Sequence, residues 1–295
     1  VEEVGSRISD VEVSSQVEEA VVRRIAADDL ALPPLPVVAA KCLSLLSAPS
    51  FSLAEVARLV ETDPIVAAQV VRLANAASRA PVAPIRSIAE CVARVGGNDL
   101  RVFLLETSAR RTFESVDRDI SRICRGLWEH SLAVALMARD LLRQAKVDRA
   151  DAGYLGGLLH DIGKPVAATM LLEAETRLRG KRTQSWFPPA TWSALIARIH
   201  RKVGVALAEK WGLPDGIGRS IRDSVDYDST DPHSEANAVR LANALAKREG
   251  IYVGDVDADE INSQIFVGRA LFAIDDEQMQ YLTRYLKERI QERLV

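Results

Sequence analysis

The string Gly156-Gly-Leu-Leu-His160-Asp161-Ile-Gly-Lys164 sets an imidazole beside a carboxylate at the end of an apolar helix, just before a glycine. A divalent metal needs such groups: a neutral imidazole nitrogen and a carboxylate oxygen held on rigid backbone. His130 lies on the preceding predicted helix, and an antiparallel helix pair can turn it to the same point. His200, on the next long helix, is a further candidate ligand, though taken alone it reads as a packed core histidine with a satisfied hydrogen bond. Lys164 is the one candidate for a catalytic role, and its plain alternative is a solvated lysine at a helix start. The acidic run Asp223, Asp226, Asp228, Asp231 with His233 has a spacing that fits no EF-hand loop and reads as a solvated loop.

These residues need helices to position them, and the sequence supplies helix signals throughout. Ser52 with Glu55 and Ser87 with Glu90 have the form of capping boxes, and Phe51 with Val56 that of a hydrophobic staple. Asp63-Pro64 is an N-cap followed by proline at the first helical position. The segment Ile65–Ala77 is apolar on nearly every face, which predicts a buried central helix. Gly96-Gly97 ends the helix after Ser87, and Asn98 is placed to cap the next. Longer helices are expected over 120–144 with His130, 149–160 with Gly163 as breaker, and 189–211 with Gly212 at the C′ position. A helix capped by Ser234 ends at Gly250. A last one over 276–293 has Leu282, Leu286, Ile290 and Leu294 on one face. No sustained period-two alternation predicts a strand, so the expected fold is all-α, a helical bundle.

The 295 residues suffice for one large domain or two small ones. Net charge is -3 with acids and bases interspersed, so no basic stripe suggests nucleic acid as a partner. Apolar runs such as Leu132–Ala138 are too short to span a bilayer. The acidic start, VEEVGSRISD, does not have the form of a signal peptide. Its first residue is Val, which fits a trimmed chain or a piece of a longer one. Cys42, Cys91 and Cys124 form no CxxC pair, and three small core residues in a reducing, cytoplasmic setting is the natural reading.

The His130, His160-Asp161 pattern resembles the signature of the HD superfamily of metal-dependent phosphohydrolases. That superfamily adds a later aspartate, and the matching stretch here, Arg240-Leu-Ala-Asn243-Ala-Leu-Ala246, carries Asn243 instead. Leu35-Pro36, Asp63-Pro64, Leu73-Ala-Asn75 and the Ser87–Gly97 segment resemble the front part of HDOD domains, bacterial regulatory relatives often with an incomplete metal site. The resemblance covers about residues 25–250. His200, Gly204 and the Trp211-Gly-Leu-Pro214 turn are similar to HDOD and HD-GYP proteins. The His-His pair and Gly-Tyr-Pro motif of the cyclic di-GMP-hydrolysing HD-GYP proteins are absent, and Ile221-Arg-Asp-Ser224-Val225 stands where the pair belongs.

The resemblance implies a single weak or vestigial divalent metal site of His130, His160, Asp161 and Asn243. An amide oxygen carries no full charge, and one unit-charge interaction at ~4 Å and an effective dielectric of about 20 is worth ~4 kcal/mol gross. The implied organisation is a linker or loose helix at 1–18, an N-terminal HDOD lobe at 19–118 and an HD-like lobe at 119–295 with the C-terminal helix. The implied function is a bacterial signalling module that binds a regulatory protein or a nucleotide-type small ligand, without efficient catalysis. The alternative is a metal-dependent phosphohydrolase with a relaxed ligand set.

Overall fold

A computed structural model describes residues 19, 23–24, 33–75, 87–114, 118–179, 189–223 and 226–294. The expected linker at 1–18 and most of the short helix at 19–29 lie outside them. Among the described residues every regular element is a helix, as Ala, Leu and Arg enrichment favours. The chain divides into two compact units, one of residues 34–111 and one of residues 112–295 together with 1–33.

The smaller unit holds α1 (Val37–Leu46), α2 (Leu53–Glu61), α3 (Pro64–Ala74), α4 (Ile88–Val95) and most of α5 (Gly97–Thr112). Its core gathers Cys42, Leu46, Val56, Val60, Val70, Cys91, Val92, Leu100 and Leu104. The Asp63 carboxylate accepts from the Ile65 and Val66 amides and fixes the start of α3. Ser87 Oγ likewise accepts from the Glu90 amide at the start of α4. Ser52 departs from expectation: it occupies the N-cap of α2, but its side chain makes no capping hydrogen bond. α3 is not buried all round either. Val66, Val70 and Ala74 face inward while Ile65 is 60% exposed, so one stripe carries the packing. Asn98 falls inside α5, which begins at Gly97.

The larger unit holds α6 (Arg118–Gln144), α7 (Ala150–Leu159), α8 (Gly163–Arg179), α9 (Pro189–Lys210), α10 (Asp215–Asp223), α11 (Glu235–Arg248), α12 (Ala258–Phe272), α13 (Asp276–Thr283) and α14 (Leu286–Leu294). α6, α7 and α11 pack on one another at its centre. Their middles, Leu132–Ala138, Tyr154–Leu159 and Ala244–Ala246, are buried without interruption. α12 has no counterpart among the expected helices; Asp257 caps it by accepting from the Asp259 and Glu260 amides. The expected helix over 276–293 is two helices, because Arg284 is extended and Tyr285 left-handed (φ 58°). Leu282, Leu286 and Ile290 are all buried despite the break. The acidic run is a shaped loop. The buried Asn237 amide donates to the carbonyls of Asp228, Asp231 and Pro232 and accepts from the Asp228 amide. Arg149 meets Asp231 and Glu235, each at 3.4 Å.

All three cysteines are free and buried, and burial pushes the Cys42 thiol up to about 11, as fits core residues. α6 and α7 approach so closely at Gly157 that a Cβ there would lie 2.7 Å from Ala135 Cα. Backbone on both sides leaves nothing flexible to yield. Gly157→Ala should therefore cost about 1–3 kcal/mol of stability. Urea unfolding measures it, and an unchanged midpoint would show that the two helices are less tightly locked.

Candidate metal centre

Three helices deliver the predicted ligands. α6 carries His130 in its middle. α7 ends at Leu159, and the turn that follows presents His160 and Asp161. Gly163 is not the breaker that the sequence suggested. It opens α8, and a Cβ on it would lie 1.8 Å from the His200 carbonyl oxygen. The glycine is there because α8 and α9 touch at that point, which brings His200 alongside.

His130, His160 and Asp161 offer one ligand atom each, all within 4.8 Å of one another. Asp161 Oδ2 lies 3.3 Å from His160 Nε2 and 3.8 Å from His130 Nε2, and Oδ1 lies 3.6 Å from His200 Nε2. All four residues are buried. The backbone sets the imidazole tautomers. His130 Nδ1 is 2.7 Å from the Ile251 carbonyl, His160 Nδ1 2.7 Å from that of Gly157, and His200 Nδ1 3.0 Å from that of Ile196. A carbonyl only accepts, so each Nδ1 donates, which leaves Nε2 as the atom that each ring turns toward the carboxylate. At His130 and His200, where burial favours the neutral ring, that atom presents a lone pair, which repels an anion unless a cation lies among them.

One cation is already present. Lys164 Nζ lies 2.5 Å from Asp161 Oδ2, the oxygen that both His130 and His160 face. Lys164 is therefore no solvated lysine; its side chain is 15% exposed. Burial alone would raise the Asp161 carboxyl, but neighbouring His160 and Lys164 more than cancel this and hold it well below the usual carboxylate range. Burial likewise works against the Lys164 ammonium, and the attraction of Asp161 outweighs it, raising its pKa.

His130 Nε2, His160 Nε2 and Asn243 Oδ1 are buried atoms without a hydrogen-bond partner among the described residues. The two imidazole nitrogens face Asp161 and fit a cation, with Asp161 supplying charge. Sequence reasoning missed the three carbonyls that orient the imidazoles, which no residue type announces.

Burial, reinforced by the neighbouring His160, pushes the His130 imidazole down to about 3, and burial pushes His200 down to about 4. Both are neutral in the folded protein at neutral pH, whereas the unfolded chain takes up their protons near 6.5, the ordinary value for histidine. The unfolded state thus binds more protons between these values, so stability is lost as pH falls from about 6.5 toward 4. Each histidine contributes up to about 1.4 kcal/mol per pH unit in that window. Urea unfolding in EDTA at pH 7 and pH 5 should show the loss; equal stability at both would mean the imidazoles are not held neutral.

The fold and this site define an all-helical domain with a buried cluster of His130, His160 and Asp161 that could hold a metal ion. The HDOD domain family model matches residues 32–227, and the chain belongs to that family. Two solved structures of similar fold are a proposed metal-dependent phosphohydrolase from Shewanella amazonensis and an HDOD domain protein of unknown function from Geobacter sulfurreducens. The first is 19% identical, with a TM-score of 0.67 over 90% of this chain and 93% of that one. The second is 21% identical, with a TM-score of 0.63 over 94% and 96%. A proposed signal transduction protein from Marinobacter aquaeolei, 21% identical, gives a TM-score of 0.62 over 98% of this chain and 67% of that one. An uncharacterised protein of Treponema pallidum is 26% identical over 194 residues, and the match covers 65% of this chain but only 37% of that protein. The chain thus spans little more than a third of that relative. Among the described residues no helix is long and apolar enough to cross a membrane.

Proposed function

We propose that this HDOD domain is a regulatory module that acts by binding a partner protein or a small ligand, without efficient hydrolysis. The observation that carries the reading is the ammonium of Lys164 on Asp161 Oδ2. The oxygen a divalent ion needs is already neutralised, and the position where the resembled superfamily has a further aspartate holds Asn243, which brings no charge. A buried carboxylate paired in this way gains little by exchanging its ammonium for a dication, which must first be stripped of water. The likeness to a proposed signal transduction protein accords with this reading at the level of fold.

The imidazole tautomers favour a second reading, a metal-dependent phosphohydrolase with a relaxed ligand set. His130, His160 and Asp161, with Asn243, would hold the ion, whose contribution when bound is to lower the pKa of a water and polarise a phosphoryl oxygen. Lys164 would then leave Asp161.

Manganese titration followed calorimetrically, with phosphodiesterase and nucleotidase assays of the same preparations, separates the two. The wild type should bind manganese weakly and turn over neither substrate class. Lys164→Met with Asn243→Asp removes the competing cation and restores an anion, and should tighten manganese by about tenfold or more, since one unit charge is worth several kcal/mol gross at such distances. Stoichiometric tight metal in the wild type, with turnover abolished by His160→Ala, would establish the hydrolase instead.

A further inference from the structure

In the larger unit, α6 and α13 bound a cavity of about 440 Å³ to which no residue of the metal centre contributes. That volume lies within the usual range of small-molecule sites. Asp140, Arg143 and Gln144 of α6 form one wall, and Glu277, Gln278 and Tyr281 of α13 form the other. Helical spacing explains both walls. Residues three and four apart share a face, so Asp140 stands with Arg143 and Gln144, and Tyr281 with Glu277 and Gln278.

Some of these groups are already engaged. Asp140 is buried, and Arg289 of α14 donates to its Oδ2 at 2.8 Å. Gln278 belongs to the capping box of α13: its Oε1 accepts from the Asp275 amide, which fixes the carboxamide and leaves Nε2 to donate elsewhere. Others are not. The side chains of Arg143 and Glu277 are exposed, and neither makes a hydrogen bond or ion pair among the described residues. Opposite charges thus line one cavity, yet no nitrogen of Arg143 comes within 4.0 Å of a Glu277 carboxylate oxygen. Gln144 Oε1 is buried and has no hydrogen-bond partner among the described residues. A buried acceptor without a donor keeps its full desolvation cost, so this oxygen favours an occupant that brings one. Tyr281, 59% exposed, adds an aromatic surface.

We propose that the cavity between α6 and α13 takes a small zwitterion of the amino-acid class. An ammonium group supplies the donor that Gln144 Oε1 lacks and a charge for Glu277. A carboxylate accepts a bidentate pair from Arg143 and a hydrogen bond from Gln278 Nε2. An apolar or aromatic side chain covers the Tyr281 ring. A plain cation would leave Arg143 unanswered, and a plain anion would leave Glu277 and Gln144 so. Asp140 does not upset this balance, because Arg289 already neutralises it. The proposal is independent of whether the metal centre hydrolyses anything, since the two sites share no residue.

L-Phenylalanine is the probe, with phenethylamine and phenylpropionate as analogues that each lack one of its charges. They are titrated into the full chain at low ionic strength in EDTA and followed by calorimetry and ligand-observed NMR. The wild type should bind one equivalent of phenylalanine saturably, and each analogue about tenfold more weakly for want of its charge-assisted hydrogen bonds. Arg143→Gln should weaken phenylalanine about tenfold and leave phenethylamine unchanged. Glu277→Gln should weaken phenylalanine by a like factor and leave phenylpropionate unchanged. Lys210→Ala, an exposed change on α9, should alter none of them. Arg143 and Glu277 are exposed and make no side-chain bonds among the described residues, so both variants should fold as the wild type does. Absence of saturable phenylalanine binding, an analogue that binds as tightly as phenylalanine, or equal weakening by Lys210→Ala would overturn the proposal.

Discussion

A buried carboxylate must be compensated, and at Asp161 one oxygen receives nearly all of that compensation. Oδ2 takes the Lys164 ammonium and faces the Nε2 atoms of His130 and His160. Stripping water from such a charge costs several kcal/mol, which only close, well-directed partners can return. The ammonium supplies the attraction, and the imidazoles remain unsatisfied at Nε2. The centre is electrically quiet and coordinatively unsaturated together. That combination is why both proposed readings, a binding module and a hydrolase with a relaxed ligand set, start from the same residues.

The helices exist in their present arrangement because of where small residues fall. Gly157 lets α7 lie against the backbone of α6, so His160 arrives beside His130. Gly163 lets α8 touch the carbonyl of His200, so a third imidazole reaches the other oxygen of Asp161. Each carbonyl that fixes a tautomer belongs either to the histidine's own turn of helix or, for His130, to the segment after α11. Geometry that reads as metal coordination is thus written mostly in backbone.

The helical class, and the approach of His130 to His160 and Asp161, could be read from sequence because each depends on local pattern: capping residues, helical periodicity and a dipeptide at a helix end. Asn243 could be placed through family likeness alone. Lys164 could be named but not assigned, since whether a lysine turns to a carboxylate three residues back or to solvent depends on what covers it. Tyr252 gave no signal. It follows the end of α11 by a few residues, and its aromatic ring gains meaning only when that segment folds back onto His130 of α6. The break at Arg284–Tyr285 was hidden by the regular spacing of Leu282, Leu286 and Ile290, which a bent pair of helices satisfies as well as a straight one. The exposure of Ile65 shows the converse: an apolar run does not reveal which of its faces finds a neighbour.

The hydrogen bond from His130 to the Ile251 carbonyl ties a side chain in the middle of α6 to a short connector far along the chain. That connector carries the aromatic ring, so the ring cannot shift without loosening the proton that keeps the imidazole pointing inward. Events at the two places are then thermodynamically linked, and whatever favours one geometry of the connector favours one orientation of the imidazole by the same amount. A single main-chain oxygen thereby makes a surface segment answerable to a fully enclosed nitrogen.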